Sequence, residues 1–382
     1  MENKIEIFKE PLEILEKLSN KGAEMSAWQL ASLCGLIKEY RPQKIVEVGA
    51  AAGGTSAVIL NCISMLCLNT ELYSVDISEK YYRDKGKKTG YLAEECQKVL
   101  NGNTNYKIFR GGVLPEFLDK IGDDIDFLIL DTAHYLPGEL LDFLASIPRM
   151  RDNSIVVLHD VILNHTSPQT NAYATQVLFS SVVGEKIICM GDSNPYNYPG
   201  IGIFKVNQDT KRYIENVFYA LKVTWRYLPD SVHLESYRKW FTKYYKKDLI
   251  EEFEIAIKMN EATLAKEKTE DKEEIRSIYE LLIELRKKEN IFIYGCGTYG
   301  IKLYELLKAC GIGIEGFVIS DTEIIPPIGR RVEYLSNVEQ NKCTFVLGMS
   351  IENQKTIVTR NNISANYICI NKYVLTYLGD HL

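Results

Sequence analysis

The chain has 382 residues, 46% of them hydrophobic and 25% charged, and a formal net charge of −6. That length suits two domains that can each bury a core, and the acidic balance argues against a general nucleic-acid or anionic-membrane binder. Nine cysteines, odd in number and without a C-x-x-C pair, point to neither a zinc ribbon nor a disulfide framework.

The first residues, MENKIEIFKEPLEILEKL, are charged throughout and lack the apolar core of a signal peptide. The longest apolar stretch, 57–68, is too short for a bilayer span. The expectation is a cytoplasmic protein with no membrane insertion, in a reduced compartment.

Residues 1–40 read as two helices, with apolar stripes at Ile14, Leu15 and Leu18 and at Trp28, Leu30, Leu33, Leu36 and Ile37. Strand and helix signals then alternate: strands at 43–48, 71–76, 106–109, 126–131 and 154–159, helices at 54–67, 91–100, 113–120 and 137–147. Such alternation predicts a parallel sheet wrapped by helices. Two more β runs, 186–190 and 201–206, flank a turn-rich connector at 191–200 and predict an antiparallel pair at the sheet edge. Residues 241–288 turn to Lys, Glu and spaced apolars, read as a solvated helical linker or as a dimerising arm that would make a homo-oligomer. From 289 the pattern restarts, with strands at 291–294, 314–320, 344–348 and 366–370 and helices at 299–309 and 351–360.

The first strand ends in Gly49-Ala50-Ala51-Ala52-Gly53-Gly54, followed by Thr55 and Ser56. Glycine lets a backbone pass close to a ligand, and a strand, such a turn and a helix together build a nucleotide pocket. Glu47, inside that strand end, would repel a phosphate and welcome a cationic, phosphate-free nucleoside. The next strand ends at Asp76, before Ile77. A carboxylate there either accepts both ribose hydroxyls or caps the following helix.

Two later strands hold their polar residues until their carboxyl ends, in Asp131-Thr132-Ala133-His134 and in His159-Asp160. Ligands of open α/β sheets bind at that edge, so Glu47, Asp76, Asp131, His134, His159 and Asp160 should share one crevice. The histidines there, with His165 nearby, are either bases or hydrogen-bonding fillers. The polar, proline-broken segment 161–175 is expected to cover the pocket and select the acceptor. Tyr196 and Tyr198 either stack on that acceptor or reflect a tyrosine-rich composition.

On these residues, 25–240 resembles a class I S-adenosylmethionine-dependent methyltransferase. Glu47 to Ser56 is similar to that superfamily's first motif and Val75-Asp76 to its second. Asp131-x-x-His134 with His159-Asp160 resembles a bacterial small-molecule and sugar O-methyltransferase branch. The resemblance implies Gly49 and Gly53 at the methionine portion, Glu47 near its ammonium and Asp76 on the ribose. Catechol- and macrocin-type relatives carry a divalent cation on carboxylates at positions like Asp131 and Asp160, which implies Mg²⁺. Here Val161 follows Asp160 and Ala133 stands where an acid is usual. His134 or His159 acting as a metal-free general base is therefore the favoured alternative.

In the second unit Gly295-x-Gly297-Thr298-Tyr299-Gly300 follows a strand and opens a helix, and Asp321 closes the next strand. It resembles small Rossmann-like domains of bacterial cell-surface glycan enzymes. Its ligand is expected to be a nucleotide or nucleotide sugar, unless the glycines serve only helix packing. The fold class is thus α/β: a doubly wound, mostly parallel seven-stranded methyltransferase sheet over 1–240, the helical segment 241–288, and a smaller Rossmann-like domain over 289–382. The expected activity is S-adenosylmethionine-dependent O-methylation of a small-molecule acceptor such as a sugar or nucleotide sugar. The rivals are an NAD-dependent nucleotide-sugar oxidoreductase or epimerase and a non-catalytic nucleotide-binding adaptor.

Overall fold

The computed structural model describes residues 5–20, 23–102, 104–187, 200–321, 325–326, 328–360 and 366–380. Most of the expected edge connector, 191–199 with Tyr196 and Tyr198, lies outside them. The chain divides into two compact units, Met1–Leu264 and Ala265–Leu382.

The first unit is built on seven strands: β1 (Lys44–Val48), β2 (Glu71–Asp76), β3 (Asn105–Arg110), β4 (Ile125–Leu130), β5 (Met150–Leu158), β6 (Glu185–Ile187) and β7 (Gly202–Lys205). Their order is β3-β2-β1-β4-β5-β7-β6, and β7 runs antiparallel to both its neighbours. The central strands are buried on both faces, as their near-continuous apolar sequences require. The register pairs Val48 with both Val75 and Leu130, and Leu130 with Leu158. The carboxyl ends of β1, β2, β4 and β5 therefore finish level, and the strand order reverses between β1 and β4. That reversal is where an open α/β sheet leaves a crevice.

Alternate residues of each strand feed two apolar layers. Val46, Leu128 and Val156 pack toward helix Gly138–Ser146, whereas Ile45, Phe127 and Val157 pack toward helices Ala27–Tyr40 and Gly54–Met65. Helix Ala27–Tyr40 begins with a capping box in which Ser26 and Gln29 satisfy each other's backbone N–H. The first expected helix is a 3₁₀ helix, Glu10–Lys17, and that at 113–120 is split into Leu114–Glu116 and Leu118–Ile121. After β7 come helices Gln208–Arg212, Glu215–Ala220 and Ser231–Tyr244, a stretch without a strand–turn signal. They cover helix Gly138–Ser146 through buried Trp240, whose Nε1 donates to Ala145 O at 2.9 Å, and Tyr245, whose hydroxyl donates to Leu144 O at 2.6 Å.

Helix Lys247–Leu285 carries the boundary between the units. The second unit has five parallel strands, β8 (Ile291–Tyr294), β9 (Gly316–Ile319), β10 (Val332–Tyr334), β11 (Thr344–Leu347) and β12 (Tyr367–Cys369), in the order β10-β9-β8-β11-β12. This is one strand more than expected: β10 has three half-buried residues and pairs only with β9, so its apolar signal is weak. Among the described residues no helix is long and apolar enough to cross a membrane.

Candidate active site

The turn after β1 is shaped by backbone crossings. Gly49 has φ 96°, and a Cβ there would sit 1.9 Å from the carbonyl oxygen of Asp131. Gly53 has φ 89°, and its Cβ would meet Gly90 Cα at 2.9 Å. Both positions need glycine, because a larger residue would push apart segments packed against the turn. Gly49 lines a cavity of about 920 Å³ at the carboxyl edge of the sheet, whereas Ala50, Gly53, Gly54, Thr55 and Ser56 do not.

Asp76 holds this turn. Its Oδ2 accepts the N–H groups of Ala50 and Ala51, each at 3.0 Å, and its Oδ1 accepts that of Ser78 at 2.8 Å. A carboxylate offers about four acceptor sites, so three are spent inside the protein. One remains for a ribose hydroxyl, where two hydroxyls were expected. Asp76 and the exposed Ile77 both line the cavity.

Glu47 was expected beside the cofactor's ammonium, but it does not line the cavity. It shares its strand face with Ile45 and is fully buried. Its Oε2 accepts from Ser56 Oγ and, at 2.7 Å, from Ser74 Oγ, and Oε1 has no partner among the described residues. Burial pushes its carboxyl up to about 7 despite the two hydroxyls.

His134 and His159 meet on the far side of the turn, with ring centroids 5.3 Å apart. His159 Nδ1 is 2.7 Å from Asp131 Oδ1, and its Nε2 is 3.3 Å from both Asp160 Oδ1 and Gln29 Oε1. His134 Nδ1 is 3.0 Å from Glu139 Oε1, and its Nε2 is 3.7 Å from Asp131 Oδ1 and 3.8 Å from Asp160 Oδ2. Burial alone would lower both imidazoles. The carboxylates outweigh it, Glu139 leading at His134 and Asp131 at His159, and leave both raised. Asp131, His134, His159 and Asp160 all line the cavity that begins at Gly49.

Beyond the histidines the wall is made by Asp142, Tyr227, Leu228, His233 and Tyr237. Tyr237 donates to Asp142 Oδ1 at 2.6 Å, and burial pushes the Asp142 carboxyl up to about 7 against that bond. Segment 161–175, expected as the cover, does not line this cavity. Val161 is buried in the core, and His165 is exposed with its Nε2 3.4 Å from Gln176 Nε2.

With this geometry in view, residues 46–161 match a family model described as "Methyltransferase domain". This stretch contains the glycine turn, Asp76, both histidines and Asp160 at once. Residues 46–161 are similar to a methyltransferase domain.

Over 142 residues the chain is also 29% identical to an uncharacterized protein, y4gI, of Sinorhizobium fredii, covering 35% of this chain and 15% of that protein, so it spans only a small part of its curated relative. Among solved structures, the O-methyltransferase TomG of Streptomyces achromogenes, in complex with S-adenosylmethionine, is 14% identical over 52% of this chain and 88% of that one, with TM-score 0.38. An O-methyltransferase of Bacillus cereus, in complex with S-adenosylhomocysteine, is 14% identical over 52% and 91%, also with TM-score 0.38. The mycinamycin-pathway methyltransferase MycE is 16% identical over 53% and 56%, with TM-score 0.35.

A metal at this site was expected on Asp131 and Asp160. The donors that come together are Asp131, His134 and His159, whose ligand atoms lie within 4.8 Å of one another. Two imidazoles and one carboxylate do not fit Mg²⁺, which takes oxygen ligands in a near-ideal octahedron. Glu139 and Asp142 went unread in the sequence because both lie in an apolar helix pattern. Their one signal is acid at i and i+3 in a segment that is otherwise buried.

In the second unit the glycines of the turn divide. Gly300 would place a Cβ 1.9 Å from Gly295 O, so helix packing accounts for it. Gly295 has φ 95°, and its N–H donates to Val318 O at 2.8 Å. Gly297 precedes helix Thr298–Ala309, in which Tyr299 is exposed, and faces open space. Asp321 turns to Ser336, accepting its N–H at 3.3 Å and its hydroxyl at 2.5 Å. Both bonds fall on Oδ1 and leave Oδ2 able to accept.

Proposed function

We propose that the first unit transfers a methyl group from S-adenosylmethionine to a hydroxyl of a small molecule. The observation that carries this is one continuous cavity running from Gly49 and Asp76 to His134, His159 and Asp160, and on to Tyr227 and Tyr237. Its volume of about 920 Å³ is near the top of the range for small-molecule sites, ~300–1,000 Å³. It has room for a nucleoside cofactor and a modest acceptor together.

In this reading Gly49, Asp76 and Ile77 receive the nucleoside and Asp131 faces the cationic end. Bound S-adenosylmethionine supplies a methyl on a sulfonium, already a good leaving group. The protein has two tasks left, alignment and removal of one proton. His134 takes the acceptor's proton on Nε2, and the His159–Asp131 pair stands beside it. Asp142, Tyr227, Tyr237 and His233 offer hydrogen bonds and ring faces to a hydroxylated acceptor, which supports a sugar or nucleotide sugar. The turn at Gly297 supports a nucleotide as the second unit's ligand.

The test is methyl-labelled S-adenosylmethionine with sugar and nucleotide-sugar pools, beside calorimetry with S-adenosylhomocysteine and with NAD⁺. Label in an O-methyl product supports the reading. Heat with NAD⁺ alone favours the oxidoreductase. Binding of S-adenosylhomocysteine with no labelled product from any pool favours the adaptor.

A further inference from the structure

We infer that Glu139 is the positioning residue for His134, fixing the ring so that Nε2 faces the cavity with a free lone pair. The inference rests on the reading of His134 as the group that takes the acceptor's proton. Glu139 lies in the first turn of helix Gly138–Ser146 and is fully buried. Its Oε1 gathers three contacts from one short loop: Thr132 Oγ1 at 2.7 Å, the backbone N–H of His134 at 2.8 Å, and His134 Nδ1 at 3.0 Å. A carboxylate oxygen only accepts, so Nδ1 carries the ring proton and Nε2 is left unprotonated in the neutral ring.

The backbone makes the same point. His134 sits at φ 60°, a left-handed region that non-glycine residues rarely adopt. Glu139 grips both the N–H and the ring of this residue, so one oxygen holds the unusual backbone and the ring orientation together. The other oxygen, Oε2, is buried without a partner among the described residues. A buried carboxylate with an unmet oxygen is a poor choice for stability alone. An apolar residue would suit this otherwise apolar helix face better, unless the acid has a task at His134. His159 mirrors the arrangement with its own Nδ1 on Asp131.

The experiment uses the full chain, Glu139→Val and Glu139→Gln, with His134→Ala to assign the signal. Long-range ¹H–¹⁵N correlation spectra of ¹⁵N-histidine-labelled protein, at alkaline pH where the ring is neutral, report the tautomer directly. His134 is expected as the Nδ1–H tautomer in the parent and in Glu139→Gln, whose amide oxygen still accepts, and as a mixture in Glu139→Val. In turnover, Glu139→Val should lower kcat by roughly 10²–10⁴-fold with KM changed less than about threefold, and Glu139→Gln should restore most of kcat. An Nε2–H tautomer in the parent overturns the inference, as does a Glu139→Val protein with parental tautomer and kcat. If Glu139→Val does not fold, the tautomers of the parent and of Glu139→Gln still decide. If the parent methylates no acceptor, the proposed activity fails while the tautomer reading stands or falls separately.

Discussion

His134 and His159 stand edge to face, 5.3 Å apart, each with Nδ1 on a different carboxylate and Nε2 toward Asp160. Two imidazoles prepared in the same sense, on the wall of one cavity, are suited to proton removal beside a bound cofactor. His134→Ala or His159→Ala should slow methyl transfer by roughly 10²–10⁴-fold, with S-adenosylhomocysteine affinity within a few-fold of the parent. Steady-state rates and calorimetry check this, and unchanged rates in both variants would remove the histidines from the chemistry.

Asp76 is both cavity wall and turn brace, so its loss has two readouts. Asp76→Ala leaves three backbone N–H groups without their acceptor. Cofactor affinity should fall by about 1–3 kcal/mol, with a lower melting temperature even when no ligand is present. A residue that only contacted ribose would change affinity and leave unliganded melting untouched.

Glu47 gives a pH dependence of defined sign. Its folded-state value is raised from 4.5 to about 7 by burial. The stability it contributes is fully present below pH ~4.5 and is lost as pH rises through about 7, on the order of 3 kcal/mol in all. Asp142, also raised to about 7 by burial, acts in the same sense. Urea unfolding at pH 5 and pH 8 should show a smaller loss in Glu47→Gln than in the parent, and a smaller one still in Glu47→Gln with Asp142→Asn. An equal loss in all three proteins would show that neither acid titrates this way.

The second glycine turn can be dissected by adding one methyl at a time. Gly297→Ala meets open space at an ordinary φ of −76° and should melt within about a degree of the parent. Gly300→Ala, with its Cβ 1.9 Å from Gly295 O, should cost at least ~1–3 kcal/mol. If a nucleotide phosphate approaches Gly297, that variant alone loses nucleotide binding while staying folded.

The nitrogen-rich donor set predicts turnover that does not depend on Mg²⁺. Activity that disappears on chelation and returns with Mg²⁺ would refute the misfit of these donors to that ion.

Much of this was legible in the chain. The central strands of the first sheet announced themselves because they are buried on both faces, and Gly49, Asp76, Asp131, His134, His159 and Asp160 because glycine or polar residues close each run. Glu47 misled for the same reason. It sits one residue inside the strand end, where the two-residue period turns it under the sheet, to Ser56 and Ser74, and away from the crevice. Asp321 looks like a ribose acid by spacing, and spacing does not reveal that its Oδ1 also holds Ser336. The cavity wall from Tyr227 and Tyr237 was unreadable because it depends on helices after β7 folding back over Gly138–Ser146, a long-range packing that no local pattern encodes.

The most direct measurement is calorimetric titration of the intact protein with S-adenosylhomocysteine, repeated with Gly49→Val. Saturable one-to-one binding to the first, and none to the second, is the expected result. No heat with the parent, or undiminished binding to Gly49→Val, would contradict a sulfonium nucleoside in this cavity.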